Sequence, residues 1–213
     1  FNLLKNDLAV DIGSNVGVLL SGFNSNGLRV LGIEPSKNVA KIAQKNKINT
    51  LIAFFSSKLA RQILRKHGKV SVITGTNVFA HINNLNDFFK AVDILLTKNG
   101  ILVVEAPYLV NLIENLEYDT IYHEHLSYIS LKPLIQFCKL HGFVVFDVEM
   151  QSIHGGTMRY YISRKDAQKP TKNIKYYLNL EKQKKIYSKK TLVNFSREIN
   201  NQRQELNRLL FNL

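Results

Sequence analysis

The sequence predicts an α/β fold: a mostly parallel sheet flanked by helices, with an antiparallel last hairpin and a long C-terminal helix. Three observations carry this expectation. Apolar, strand-like runs alternate with helical patterns from Leu8 to Glu105. A glycine-bearing turn follows the first run, in Leu8-Ala9-Val10-Asp11-Ile12-Gly13-Ser14-Asn15-Val16-Gly17. Further on, His154-Gly155-Gly156-Thr157 joins two short apolar runs, as a hairpin turn does.

In chain order, strand one is Leu8–Ile12, and helix one follows Gly17. Strand two is Arg29–Glu34; Pro35 breaks it, and Ser36 is placed to cap a helix running to about Asn46. Strand three covers Thr50–Phe55, helix three Ser57–His67 with Gly68 as its stop, and strand four Val70–Thr74. Helix four, Leu85–Leu96, gathers Phe88, Phe89, Val92, Leu95 and Leu96 on one face, and Lys98-Asn99-Gly100 is expected to end it. Strand five, Ile101–Glu105, is almost unbroken in its apolarity, as suits a strand covered on both faces. Pro107 to Ser130, rich in Tyr, Glu, Asp and His, reads as an insertion outside the core. Helix five is Leu131–His141, and the hairpin is Phe143–Val148 with Met158–Ser163. From Lys165 the composition turns to Lys, Asn and Gln, while Ile199, Leu206, Leu210 and Leu213 keep helical spacing. The expected division is therefore 1–164 as the α/β domain and 165–213 as a basic helical connector.

A chain of 213 residues holds one ample core. No apolar run approaches the roughly 20 residues that span a bilayer. The single cysteine, Cys138, excludes an internal disulfide and a multi-cysteine zinc site; its apolar neighbours suggest a buried, inert thiol and a reducing, cytoplasmic setting. The net charge of +13 is uneven: from Arg164 onward 13 Lys and Arg face 4 Asp and Glu, whereas the rest of the chain carries 16 against 12. That distribution argues against a nucleic-acid-binding core, although Tyr176, Tyr177 and Tyr187 do lie among the tail's lysines.

The chemistry concentrates at strand ends. Gly13 permits a sharp reversal, and the backbone N–H groups of Gly13 to Val16 are expected to face the crevice. Glu34 ends strand two, where a carboxylate can accept two hydrogen bonds from a ribose diol. The D-x-G-x-x-x-G spacing and this second acid resemble the first two signatures of class I, Rossmann-like methyltransferases that use S-adenosylmethionine. Tyr122-His123-Glu124-His125 is the densest titratable cluster and follows strand five, while His81 follows strand four at the same rim. His123 and His125, two residues apart, suit one helical face poorly, so no metal is expected.

Three further segments make the resemblance specific: Asn77-Val78-Phe79-Ala80-His81-Ile82, Ile121-Tyr122-His123-Glu124-His125-Leu126-Ser127-Tyr128 and His154-Gly155-Gly156-Thr157-Met158-Arg159. They look like signatures of the sugar C-methyltransferases, which methylate a ring carbon of nucleotide-linked keto-deoxysugars. The similarity spans roughly Leu8 to Ser163. It implies S-adenosyl-L-methionine as cofactor, held by Asp11, Gly13, Ser14, Asn15, Gly17, Glu34, Pro35 and Asn77. It implies His125 as the base that removes a proton beside the 4-keto group, with Tyr122, Glu124 and His81 orienting the sugar or the base, and His154 and Arg159 as sugar or phosphate contacts. The family also carries an N-terminal cysteine-rich zinc module and a C-terminal second α/β domain; the chain reads as lacking both, an excerpt ending in the connecting helix. An O- or N-methyltransferase of another small molecule stays open, because the same base could deprotonate a hydroxyl. So does a basic nucleic-acid-binding protein on the same scaffold.

Overall fold

The computed structural model describes residues 3–153 and 155–211. Its elements are β1 (Leu8–Ile12), α1 (Val18–Ser25), β2 (Arg29–Ile33), α2 (Lys37–Lys45), β3 (Thr50–Leu51), α3 (Ser57–His67), β4 (Val70–Thr76), α4 (Leu85–Leu95), β5 (Leu96–Pro107), α5 (Leu109–Glu114), α6 (Leu131–Leu140), β6 (Phe143–Gln151), β7 (Thr157–Arg164), α7 (Lys172–Gln183) and α8 (Lys189–Phe211). Short 3₁₀ turns occupy Phe79–His81 and Tyr118–Thr120. The strands form one sheet in the order β3-β2-β1-β4-β5-β7-β6. β7 runs antiparallel between β5 and β6, and the pairs from β3 to β5 are parallel. The strand order reverses between β1 and β4, so the crevice beyond their carboxyl ends is where this architecture takes ligands.

The central strands are buried on both faces, as their apolar runs require; every residue of β1 is buried. α4 supplies Phe88, Phe89, Val92 and Leu95 to the core, and Leu96 is buried beside them. Phe79, Phe88, Phe89, Phe137 and Phe143 meet edge to face there.

Four local expectations need correction. β3 forms ladder only at Thr50–Leu51, opposite Gly32 and Ile33, so the expected strand to Phe55 is cut short. Ser36 does stand at the N-terminus of α2, but its side chain makes no cap bond; instead its N–H donates to Glu34 Oε1 at 2.8 Å. Lys98-Asn99-Gly100 lies inside β5 and does not end α4. Leu96 already pairs with Val70, and the ladder resumes at Val72 with Ile101, so the polar residues occupy a bulge. Lastly, the segment taken as an insertion is core at both ends, with Tyr108, Val110, Leu112 and Ile129 buried.

The basic tail is less detached than its composition suggests. α7 packs on α6 and β6, and its Glu181 is 1% exposed. That carboxylate accepts from the N–H groups of Leu131 and Lys132, at 2.5 and 3.1 Å, and from the hydroxyls of Tyr108 and Tyr187. It therefore serves the first turn of α6, where Ser130 provides no side-chain cap. α8, in contrast, buries none of its described residues. Leu213, assigned to its spacing, lies outside the described residues. Among the described residues no helix is long and apolar enough to cross a membrane.

Candidate functional site

The site starts from the turn after β1. Gly13 has φ +66, and a Cβ there would stand 2.3 Å from Val78 Cγ1, so the residue is required both for its backbone and for its lack of a side chain. The N–H groups of Gly13 and Ser14 both donate to the Ile33 carbonyl, at 2.8 and 3.2 Å. Asn15 N–H donates to Glu34 Oε2 at 3.0 Å, and Val16 N–H to Asn15 Oδ1 at 2.8 Å. The expectation that these four N–H groups face the crevice is thus overturned: strand two and its terminal acid take up three, and the Asn15 side chain takes the fourth. What the crevice receives from this turn is shape and side chains.

Two spaces open on either side of the turn and share Gly13 and Asn15. The first, about 610 Å³, is lined by Glu34, Pro35, Ala53, Phe54, Asn77 and His81. It combines an apolar slot at Phe54 and Phe55 with a buried carboxylate. Both Glu34 oxygens accept backbone N–H groups, and each keeps a second lone pair for a diol. Asn77, at φ +55, donates its N–H to the Glu105 carbonyl, while its side-chain oxygen is buried without a partner among the described residues. A buried acceptor left open at the rim of such a slot is what a bound nucleoside would satisfy.

The second space, about 530 Å³, is lined by Asp11, Ser14, Thr76, Glu105 and Arg159 as well as the shared residues. Burial pushes the Asp11 carboxyl up to about 6, against the Thr74 hydroxyl that donates to its Oδ1 at 2.6 Å. Gly17 lines neither space; it is buried against Ile48, where a Cβ would come within 2.9 Å.

The titratable cluster sits beyond the first space. His81 lines that space and donates from Nδ1 to the Glu124 carbonyl at 2.9 Å. This contact fixes the tautomer and leaves Nε2 as the lone-pair nitrogen. The His125 ring lies 4.8 Å from that of His81, centroid to centroid, tilted by 54°. His125 donates from Nδ1 to the Thr120 carbonyl at 2.8 Å, so its Nε2 accepts from the Tyr122 hydroxyl at 3.1 Å. Leu126 N–H donates to the Ala80 carbonyl, binding the loop to the turn that carries His81. Tyr122, Glu124 and His125 themselves stand outside the lining of both spaces.

The hairpin turn supports this loop. Asn111 and Asn115 donate to the Gly155 carbonyl, and Asn115 also donates to Glu117. A Cβ on Gly156 would lie 2.3 Å from Asn111 Nδ2, so the turn and the base of the loop are in direct contact. His154 lies outside the described residues. Arg159 is held by Glu105 and Glu149. Sequence reasoning missed Thr74, Val78, Phe54 and Glu105. Only Glu105 left a signal, as an acid closing an apolar strand in the way that Glu34 does.

Residues 4–148 match the family model described as a methyltransferase domain, and residues 152–213 match that of the C-methyltransferase C-terminal domain. The C-methyltransferase NovU of Streptomyces niveus is 38% identical over 156 residues, 73% of this chain and 37% of that protein. The ubiquinone biosynthesis O-methyltransferase of Pelagibacter ubique (strain HTCC1062) is 35% identical over 106 residues, 47% of this chain and 42% of that protein. The chain thus spans about two fifths of the length of these curated relatives. Among solved structures, a SAM-dependent methyltransferase from Anabaena variabilis ATCC 29413 superposes with a TM-score of 0.60 at 18% identity, covering 78% of this chain and 81% of that one. The second match corrects one expectation: the C-terminal domain is not lacking, since residues 152–213 carry its signature. The lysine-rich composition concealed a helix docked through a single buried acid, Glu181.

Proposed function

The chain belongs to the methyltransferase family, with S-adenosylmethionine as its cofactor, and on that premise we propose that it methylates a carbon next to the carbonyl of a nucleotide-linked 4-keto-deoxysugar. When bound, the cofactor supplies an electrophilic methyl group on a sulfonium sulfur. Glu34 would meet the ribose diol, Asn77 Oδ1 and the slot at Phe54 the nucleoside, and Asp11 and Asn15 the region beyond. Pro35 and Ser14 complete the two walls.

His125 is the base. Its Nδ1–H bond to Thr120 leaves the Nε2 lone pair to take the proton beside the keto group. The Tyr122 hydroxyl, now bonded to that nitrogen, would turn to the developing enolate oxygen as the sugar enters. The observation that carries this role is the contact of the His125 ring with that of His81, 4.8 Å between centroids, because His81 lines the donor space. Glu124 holds His81 through its backbone carbonyl. A carbon acid beside a carbonyl is acidic enough for an imidazole base, and the carbon so deprotonated would be the nucleophile for the methyl group that the bound donor supplies.

The donor-binding unit is taken as 1–164, because β7, the last strand in sequence, ends at Arg164. The helical remainder is 165–213. Cys138 is buried, and burial pushes its thiol up to about 12, which suits a reducing, cytoplasmic setting. One observation favours a second reading, transfer to oxygen: the relative from Pelagibacter ubique is named an O-methyltransferase.

The test separates binding from chemistry. His125→Asn in the full protein should leave S-adenosylhomocysteine affinity within about twofold and lower methyl transfer by about 10²- to 10⁴-fold. Near-normal turnover would remove His125 from the role. Product analysis by mass and NMR decides between carbon and oxygen as acceptor.

A further inference from the structure

The histidine loop leaves the sheet after Tyr108 and ends at Leu131, and its two ends meet at one buried atom. Glu181 Oε1 accepts the Tyr108 hydroxyl at 3.0 Å and the Leu131 N–H at 2.5 Å. Oε2 of the same carboxylate accepts the Lys132 N–H at 3.1 Å and the Tyr187 hydroxyl at 2.5 Å. Just inside these ends the Leu109 N–H donates to the Ile129 carbonyl at 2.9 Å, so the neck of the loop is closed twice. Glu181 itself belongs to α7 and lines neither of the two spaces beside Gly13.

A continuous run of hydrogen bonds leads from that carboxylate to His125. The Tyr108 carbonyl accepts from the Leu112 N–H at 3.1 Å, and the Leu112 carbonyl from the Glu117 N–H at 3.0 Å. The Glu117 carbonyl accepts the Thr120 hydroxyl at 2.8 Å, and the Thr120 carbonyl accepts Nδ1–H of His125 at 2.8 Å. These links after Tyr108 join residues three to five apart, so they shape the loop without deciding where it sits. Its seat is decided at the ends. Helix capping alone does not account for Glu181. Ser130 stands at the N-cap of α6 with a hydroxyl suited to that work, yet makes no cap bond and accepts from Tyr187 instead. A carboxylate at 1% exposure is costly unless its lone pairs are filled, and a serine cap would serve the helix without that cost. The carboxylate does what a serine cap would not: it holds the entry and the exit of the loop on one oxygen.

We infer that Glu181 is a positioning residue for methyl transfer: by pinning both ends of the histidine loop on one oxygen, it sets where Nε2 of His125 stands. This rests on His125 as the base and extends the working site to α7. Glu181 moves no proton and meets no ligand; it acts through Tyr108 and the run of bonds that follows. The donor crevice, built from strand ends, does not depend on it.

The full protein carrying Glu181→Gln tests this, because the amide sets N–H donors against donors. With S-adenosylhomocysteine bound, ¹⁵N NMR should show His125 pass from a single Nδ1–H tautomer to a mixture. Calorimetric affinity for S-adenosylhomocysteine should stay within about twofold, while kcat for the keto-sugar falls by about 10- to 100-fold. An unchanged tautomer with unchanged kcat, or donor affinity lost in step with kcat, overturns the inference. On a His125→Asn background Glu181→Gln should cost no further turnover beyond about twofold; an equal loss on both backgrounds marks a merely structural role and overturns it as well. Should Glu181→Gln fail to fold, two phenols on the same carboxylate decide. Tyr108→Phe removes the first link of the run and should reproduce the tautomer mixture and the kcat loss. Tyr187→Phe removes a bond on Oε2 and leaves the run whole, so it should change neither by more than about twofold. Equal effects of the two overturn the inference. Near-normal turnover of His125→Asn alone removes the base, and the inference falls with it; the other adverse results leave the base in place.

Discussion

The donor crevice and the histidine loop hold their groups by different means. The crevice is made from strand ends: Gly13 follows β1, Glu34 follows β2 and Asn77 follows β4, each fixed by bonds to or from backbone groups of the sheet or its turns. The histidine loop, in contrast, has no ladder of its own beyond one bridge between Tyr108 and Ile129. His81 is aimed by a bond to the Glu124 carbonyl and His125 by bonds to the Thr120 carbonyl and from the Tyr122 hydroxyl, while Tyr122 is itself 44% exposed. A crevice of the first kind is preorganised before any ligand arrives. A loop of the second kind is positioned by what packs beneath it.

Substitutions can break that contrast from either side. The largest effect is expected at Gly13→Ala, where positive φ and the approach of Val78 combine. Left-handed strain and overpacking sum to about 2–5 kcal/mol, so S-adenosylhomocysteine affinity should fall by about 30-fold or more in a binding titration. Retained affinity would mean that the turn is softer than its bonds imply.

Next comes Asp11, a crevice acid that burial holds up at about 6 against an ordinary 3.8. Its folded-state value is the higher one, so the protonated form favours folding. That contribution is complete below pH ~4 and is lost as pH rises through about 6. Asp11→Asn keeps an oxygen for the Thr74 hydroxyl and removes the loss. Its stability advantage over wild type should therefore grow between pH 4 and 7, to at most about 3 kcal/mol, as read from denaturant midpoints. A constant difference across that range would show that Asp11 titrates like a solvated acid.

The loop side gives the smallest effect. Gly156→Ala would press on Asn111 at the foot of the loop. Turnover should fall by about tenfold to a hundredfold as the histidines shift, with S-adenosylhomocysteine affinity within about twofold. If binding fell in step with turnover, the two regions would be one mechanical unit and the contrast would dissolve.

The same contrast explains what was legible beforehand. Asp11, Gly13 and Glu34 could be placed from sequence because strand ends are set by local apolar runs and glycine chemistry. The hairpin was legible from Gly155-Gly156 for the same reason. The direction of the turn's N–H groups was not, because it depends on Glu34 reaching back to Asn15, a contact made across the sheet. Nor was the bulge at Lys98-Asn99-Gly100, whose polar residues mimic a helix stop. Where His125 stands relative to the crevice depends on Thr120, on the Ala80 carbonyl and on the hairpin turn, none of which its own neighbours in sequence disclose.

Glu181 has a consequence for how the chain is made. Its carboxylate serves Tyr108, the first turn of α6 at Leu131 and Lys132, and Tyr187, groups that leave the ribosome at widely separated times. Until the nascent polypeptide has been extended past α7, the Tyr108 phenol and the start of a core helix lack this common acceptor. The sheet is complete at Arg164, yet its covering layer on this side locks only after some twenty more residues have been added. Release of a premature product in that window would yield a nearly finished domain with its final clasp absent.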